Sequence, residues 1–426
     1  MNFIIVTLGC KVNTYESNVM RDLLLNEGYK EIDKNADIVI INTCTVTDTA
    51  DSKSLKVIRQ QIRNNPNAIV IVTGCFSQIN SAKLKDMEGV SIILGNHNKS
   101  KIVSYINEYK ENKKQICDIE KIEEVPFENM SLNNFNKTRA FVKIEDGCEN
   151  FCSYCIIPYT RGKVRSKKCA DVLNEITNLV NNGHHEIVLT GIHTGHYGAD
   201  LEDMTFASLL EKICKIKDLE RLRISSIEIT ELDENFMRVL KENKIIVDHL
   251  HIPLQSGCDK TLKEMNRKYD TTYFINKVNE IRNIRPDISL TTDLIVGFPN
   301  ETEEDFNKTI ETLKTIRFSK IHVFPFSLRK GTKAETMENH IDEQTKHKRV
   351  KQVMELSKEH EIEYMNKFKD KEVIFIPEIK KDDYIIGHTG NYLLVKVKTD
   401  LPLNHDSMTV KINEIDYPYV IGNYLK

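Results

Sequence analysis

The chain has 426 residues, enough for about three domains of about 150 residues each. Hydrophobic residues make up 40% and charged residues 29%, with no Trp, which excludes disordered and collagen-like classes. A formal net charge of −3 excludes a global attraction to polyanions, so any nucleic-acid surface must be a local patch. The first residues, MNFIIVTLGCKVN, have no basic n-region and only a short apolar run, so a cytoplasmic protein with no membrane partner is expected. Ten cysteines in such a compartment are unlike disulfides, and clustered ones point to metal or catalysis.

Taken in order, FIIVTLG, DIVIINTC, AIVIVTGC and VSIILGN are continuous β-branched runs separated by helical patterns such as TYESNVMRDLLLNEGY. Continuous rather than alternating apolar runs predict parallel strands covered on both faces, so residues 1–111 are expected to form a doubly wound α/β domain. Residues 112–137 are polar and acidic without periodicity and are expected to be a linker. From 138 to 366 the alternation resumes, with strands at AFVKIEDG, HEIVLTGI, RLRISSIE, HLHIPLQS, SLTTDLIVGFP and KIHVFPFS. Six such units predict a partial or complete (β/α) barrel, closed off by a long helix at 342–368. Five short strands with turn residues between them then predict a small antiparallel β-barrel of the oligonucleotide-binding kind at 367–426.

Two cysteine constellations stand out. Cys148, Cys152 and Cys155 form C-x₃-C-x₂-C at the end of the first barrel strand, in DGCENFCSYCIIPYTRG. Three close thiolates bind three irons of a cubane cluster and leave the fourth open. Zinc is the rival, but its structural sites take four protein ligands, often as two C-x-x-C pairs, and a second pair is absent. Cys10, Cys44 and Cys75 are separated by 34 and 31 residues, about one βα unit each, so each ends one of three successive strands. Neighbouring parallel strand ends open onto one edge, where ligands of such sheets bind. Cys117, Cys169, Cys214 and Cys258 lack comparable placement and are expected to be incidental.

The motifs LGCKVN, NTC, GC and GCENFCSYCIIPYTRG, in that order, resemble the radical SAM methylthiotransferase family over nearly the whole chain. TLGCKVNTYES and LTGIHTGHYG are most similar to its N6-threonylcarbamoyladenosine branch. The resemblance implies an N-terminal domain with an auxiliary [4Fe–4S] cluster on Cys10, Cys44 and Cys75. It implies a radical SAM core whose [4Fe–4S] cluster, on Cys148, Cys152 and Cys155, takes S-adenosylmethionine at its open iron, and a C-terminal TRAM domain. The implied reaction is methylthio transfer to C2 of N6-threonylcarbamoyladenosine at position 37 of tRNA, with the cofactors rather than any side chain carrying the chemistry. One SAM would methylate sulfur at the auxiliary cluster, and a second would give a 5′-deoxyadenosyl radical that takes hydrogen from C2. The partners implied are the tRNA anticodon stem-loop, an electron donor such as flavodoxin or ferredoxin, and a sulfur source. Alternatives are the same chemistry on N6-isopentenyladenosine or on a ribosomal-protein aspartate, or a non-catalytic electron-transfer or RNA-binding protein.

Further candidates sit at barrel strand ends. Tyr154 takes the place of the family's aromatic beside the adenine. Gly191, with Gly195 and Gly198, allows close backbone approach to a cofactor. Ser225, Ser226, Glu228, Gln255 and Asp293 are expected to meet polar groups of SAM. His193, His196 and His251 have no metal-ligand spacing. For RNA, Arg161, Lys163 and Arg165 in TRGKVRSKK are expected to contact phosphates, and Tyr384, Tyr392, Tyr417 and Tyr419 to stack bases.

Overall fold

A computed structural model describes residues 1–122, 125–135 and 137–425. The predicted N-terminal strands become β1 (Asn2–Thr7), β3 (Ile38–Thr43), β4 (Ile69–Gly74) and β5 (Ile92–Leu94), joined by the short β2 (Lys30–Glu31). A sixth strand, β6 (Ile116–Asp118), comes from the stretch expected to be a linker. Its QICDIE sequence is too short to show a period, and it is recruited because β5 offers it a ladder: Ile92 pairs with Ile116 and Leu94 with Asp118. Part of the expected linker, at 123, 124 and 136, lies outside the described residues. The strand order is β2-β1-β3-β4-β5-β6, all parallel.

Alternate residues of these strands feed two cores. Ile38, Ile40, Ile69 and Ile71 pack with Met20, Leu24 and Ile102 on one face. Val39, Ile41, Val70 and Val72 pack with Ile58, Phe76 and Leu84 on the other. Burial of both faces explains the unbroken β-branched runs. The covering helices are α1 (Lys11–Asn26), α2 (Asp48–Asn64), α3 (Cys75–Lys85) and α4 (Ile102–Asn112).

The chain divides into two units, Met1–Asp218 with Ser327–Thr336, and Leu219–Phe326 with Met337–Lys426. The first holds, beyond its six-stranded sheet, the parallel pair β7 (Arg139–Lys143) and β10 (Glu186–Thr190). Between them in sequence lie the antiparallel pair β8 (Glu145–Asp146) and β9 (Arg165–Ser166), and the one-turn α5 (Ile157–Arg161). The second holds β11 (Arg221–Ile224) and the parallel sheet β12 (His249–His251), β13 (Ser289–Val296) and β14 (Lys320–Pro325), followed by the helix Glu343–Asn366. All six strands of the expected barrel series are thus formed; five are buried or half-buried, and β14 is largely exposed.

The second unit ends in a closed barrel, β15 (Glu372–Lys381), β16 (Tyr384–Thr389), β17 (Leu394–Lys398), β19 (Tyr419–Tyr424) and β18 (Met408–Asp416), in that ring order. Four pairings are antiparallel as expected, but β17 and β19 run parallel. The correction is topological: strands cannot alternate direction all the way round a ring of odd number. Phe375, Ile385, Val395, Val397, Val410, Ile412 and Val420 fill the interior. Tyr392 is not offered for base stacking. It lies against the Arg223 guanidinium at 4.0 Å and the His249 ring at 4.4 Å, while Arg223 donates to the Gly390 carbonyl at 2.8 Å. Tyr384 and Tyr419 both face the Lys396 ammonium, at 4.4 and 5.2 Å, and the Tyr417 hydroxyl meets Glu361.

Candidate functional site

The three N-terminal cysteines stand just past the C-terminal ends of adjacent strands β1, β3 and β4. Backbone shape places them. Gly9, Gly74 and Gly147 each precede a candidate ligand, and their φ values are +99°, +99° and +98°. This left-handed region strains any residue with a Cβ. Space is also closed: a Cβ on Gly74 would stand 2.5 Å from the Thr43 carbonyl oxygen, and one on Gly147 only 1.9 Å from that of Lys163. A Cβ on Gly9 would meet the Cys44 sulfur at 3.0 Å, which shows how closely the first two strand ends approach.

Asn13, in the first turn of α1, ties those ends together by donating to the Leu8 carbonyl at 2.7 Å and the Thr43 carbonyl at 2.9 Å. Ser54 donates to the Cys44 carbonyl at 2.9 Å. From the segment Ser327–Thr336, Arg329 donates to the Thr45 hydroxyl at 2.8 Å and pairs with Asp51 at 2.9 Å, fixing the turn after Cys44. Cys44 and Cys75 are buried, while Cys10 is exposed. Burial pushes the Cys44 thiol up to about 11, and negative charge on Cys75 or Cys10 pushes the same way. Thiolates that oppose one another's ionisation in this manner suit a soft cation set among them, which is a fit to an iron–sulfur group.

The second set is built on the loop between β8 and β9. The Cys148 amide donates to the Gly162 carbonyl at 2.9 Å and the Cys155 amide to the Cys152 carbonyl at 2.9 Å, curling the loop. Burial pushes the Cys148 thiol up to about 12, with Cys155 and Cys152 adding to the effect. Its sulfur lies 3.9 Å from His193 Nδ1. Ser153 accepts from the Ala334 amide at 2.7 Å, so the segment Ser327–Thr336 braces both cysteine loops. Tyr154 is half-buried in the same loop, and Phe151 and Tyr159 pack edge to face at its rim with centroids 5.9 Å apart.

Gly191 has a different reason from the expected one. A Cβ there would stand 2.7 Å from Glu145 Oε2, so the space above it is taken by that carboxyl rather than left for a cofactor. Glu145 was not visible as a site residue in the sequence. It is buried and accepts from the His193 amide at 2.7 Å, and burial pushes its carboxyl well above the usual range.

The remaining SAM candidates belong to the second unit. Ser225 is buried and Ser226 half-buried after β11. Glu228 is committed to an ion pair with Arg267 and to capping the turn Ile229–Glu231. Gln255 has a φ of +64° and exchanges backbone hydrogen bonds with β13, donating to the Asp293 carbonyl at 2.9 Å. Asp293 lies 3.3 Å from His251 Nε2, whose other ring nitrogen is 2.9 Å from the Thr291 hydroxyl. Of the incidental cysteines, Cys258 is buried and its thiol donates to Asp305 at 3.4 Å.

The basic run is corrected. Arg161 is fully buried and Arg165 nearly so; of the three candidates Lys163 alone is exposed, and Lys168 at the end of the run is exposed with it. Arg161 donates to Glu16 at 2.7 Å, to Asp146 at 3.1 Å and to Asn13 at 2.8 Å. Arg165 donates to the Arg161 carbonyl at 2.6 Å. These guanidiniums answer buried carboxylates, which must be paired to stay charged, and do not contact phosphate.

Comparison with known proteins agrees with this arrangement. Residues 2–95 match the Uncharacterized protein family UPF0004, and residues 142–313 match the radical SAM superfamily. The chain is 40% identical over 99% of its length to a Bacillus subtilis threonylcarbamoyladenosine tRNA methylthiotransferase, MtaB, covering 95% of that protein. The chain belongs to the radical SAM methylthiotransferase family.

A Thermotoga maritima methylthiotransferase of the same name is 37% identical, with 93% of this chain and 94% of that protein covered. A Clostridium tetani tRNA-2-methylthio-N(6)-dimethylallyladenosine synthase is 38% identical, covering 92% and 89%. Among solved structures, the radical SAM methyltransferase TsrM from Kitasatospora setae, with cobalamin and a [4Fe–4S] cluster bound, aligns with a TM-score of 0.53. It shares 13% identity over 76% of this chain and 74% of that one, a likeness of fold. In this methylthiotransferase both matched regions carry a three-cysteine set on strand ends, and both sets lie in one unit.

Proposed function

We propose that this chain transfers a methylthio group to C2 of N6-threonylcarbamoyladenosine at position 37 of tRNA. The observation that carries the reading is full-length identity of 40% to a methylthiotransferase of that specificity, in a chain that brings two three-thiol sets to strand ends. Cys10, Cys44 and Cys75 hold one [4Fe–4S] cluster, and Cys148, Cys152 and Cys155 hold the other. When bound, these clusters and SAM supply the radical and sulfur chemistry that an aromatic C–H requires, being far too weak an acid for any side-chain base.

The chain's own residues shape and shield that chemistry. Gly9, Gly74 and Gly147 set the direction of the ligating loops, and Arg329 and Asn13 hold the strand ends. Ser225, Ser226, Gln255 and Asp293 are the proposed polar contacts for SAM, with Tyr154 beside its base. Lys163 is the exposed one of the three candidate cations and the proposed contact for an RNA phosphate. The working boundaries are 1–111 for the first domain, 138–366 for the radical SAM core and 367–426 for the RNA-holding barrel. An electron donor such as flavodoxin or ferredoxin and a sulfur source complete the partners. Among the described residues no helix is long and apolar enough to cross a membrane, in keeping with a cytoplasmic setting.

Nucleoside mass spectrometry of tRNA from cells lacking the protein tests the substrate. Disappearance of 2-methylthio-N6-threonylcarbamoyladenosine supports the reading. Unchanged levels of that nucleoside, with loss of the isopentenyl counterpart or of the ribosomal-protein modification, sink it. A structural test is Gly74→Ala. Forcing a Cβ into the left-handed region costs about 1–3 kcal/mol, and its contact with the Thr43 carbonyl moves Cys75. Iron per chain should fall to the level of Cys75→Ala with circular dichroism unchanged; full iron loading would contradict the proposed ligand set.

A further inference from the structure

Arg161 reaches from the segment just after the C-x₃-C-x₂-C loop to a sulfur of the other cysteine set. It ends α5, six residues after Cys155, and its Nε donates to Cys75 Sγ at 3.4 Å. Its terminal nitrogens donate to Glu16 at 2.7 and 3.4 Å, to Asp146 at 3.1 and 3.3 Å and to Asn13 at 2.8 Å, so all five N–H groups are engaged. Asn96 adds a second donor to the same sulfur at 3.6 Å and is itself held by the Thr160 carbonyl at 2.8 Å.

Charge gives this contact its meaning. Around Glu16 and Asp146 are gathered Lys99 at 2.6 Å, Lys143 at 2.9 and 2.6 Å, and Arg161, three buried cations for two carboxylates. Arg165 stands 3.8 Å from Asp146 and adds to the excess. A buried surplus of positive charge is costly unless an anion meets it. The acceptor on the open side of Arg161 is the Cys75 sulfur, so the excess positive charge of the network faces that sulfur.

We propose that Arg161 is a positioning residue which, through its N–H···S contact and its charge, raises the reduction potential of the iron–sulfur group held by Cys10, Cys44 and Cys75. The inference rests on the assignment of that group to those three cysteines. Hydrogen bonds to ligating sulfur and nearby positive charge stabilise the more negative, reduced state. Glu16, Lys99, Lys143 and Asp146 act through Arg161, fixing the guanidinium plane so that Nε faces sulfur. Because the same residue hangs from the Cys155 loop, the potential at one cysteine set is tied to the position of the other.

The test uses the full chain with Cys148, Cys152 and Cys155 all changed to Ala, so that only the remaining set loads iron. Iron and sulfide are counted after anaerobic reconstitution, and the midpoint potential is read by an EPR-monitored redox titration. Arg161→Gln should keep its iron and titrate at a more negative potential, and Arg161→Lys, which keeps the charge but loses the Nε donor, should shift less in the same direction. Where Arg161→Gln does not fold, Arg161→Lys decides by the same criterion. Equal midpoints in parent and variants with iron retained overturn the inference alone. A parent that binds no iron overturns the cluster assignment and the inference with it.

Discussion

Changing Cys148, Cys152 and Cys155 to Ala is expected to halve the iron of reconstituted protein, from about eight to about four atoms per chain, and to abolish formation of 5′-deoxyadenosine. Changing Cys10, Cys44 and Cys75 instead is expected to halve the iron equally but leave SAM cleavage in place. Neither variant makes methylthiolated nucleoside. The asymmetry follows from the two settings. The C-x₃-C-x₂-C set lies on the loop between β8 and β9, within the stretch matching the radical SAM superfamily, whereas the other set crowns a separate six-stranded sheet. Iron counting alone checks the two sites, and deoxyadenosine chromatography checks their division of labour. Loss of SAM cleavage in both variants would refute that division.

Glu16→Ala is expected to destabilise the apoprotein by about 3–5 kcal/mol, a large part of the roughly 5–15 kcal/mol available to a domain. The substitution leaves Lys99, Lys143 and Arg161 buried around an absent acceptor, with Asp146 the sole carboxylate for two of them. Breaking a buried pair from one side costs far more than the pair contributes, because the stranded charge stays desolvated. The pH dependence has a definite sign. Burial alone would raise the Glu16 carboxyl, but Arg161, Lys99 and Lys143 outweigh it and hold the group well below the usual carboxylate range. Its contribution is therefore complete above the unfolded value of about 4.3 and is lost as pH falls toward the depressed folded value. Denaturant unfolding followed by circular dichroism between pH 3 and 7 should show wild-type stability dropping on the acid side and a flatter profile for Glu16→Ala. A variant as stable as wild type at pH 7 would show that the network bears no net load.

Much of this arrangement is readable in the chain. The continuous β-branched runs specify a parallel sheet buried on both faces, and spacings of 34 and 31 residues place Cys10, Cys44 and Cys75 at successive strand ends. Three of the six cysteines also follow glycine, and the shared φ near +99° explains why that dipeptide recurs. The basic run differs from its expectation for a physical reason. A cation four residues from another suggests a solvated stripe, but whether it is buried depends on carboxylates far away in sequence. Glu16 lies 145 residues from Arg161, and Glu175, folded back over Lys167, removes another lysine of the run from solvent. Likewise, Gly191 looked like room for a ligand because the sequence does not reveal that Glu145 fills it. The sixth strand is not legible in the sequence, since three residues carry no measurable period.

The ring β15-β16-β17-β19-β18 pairs every strand on both sides. With each strand laddered to a neighbour on both sides, the terminal barrel has no free edge at which another chain can lend a strand, and this closes the route by which many sheets capture peptides or aggregate. Recognition on this module falls to its side chains and turns, with Lys396 held between Tyr384 and Tyr419 on one side of the ring. Such a surface offers side chains rather than an open backbone ladder.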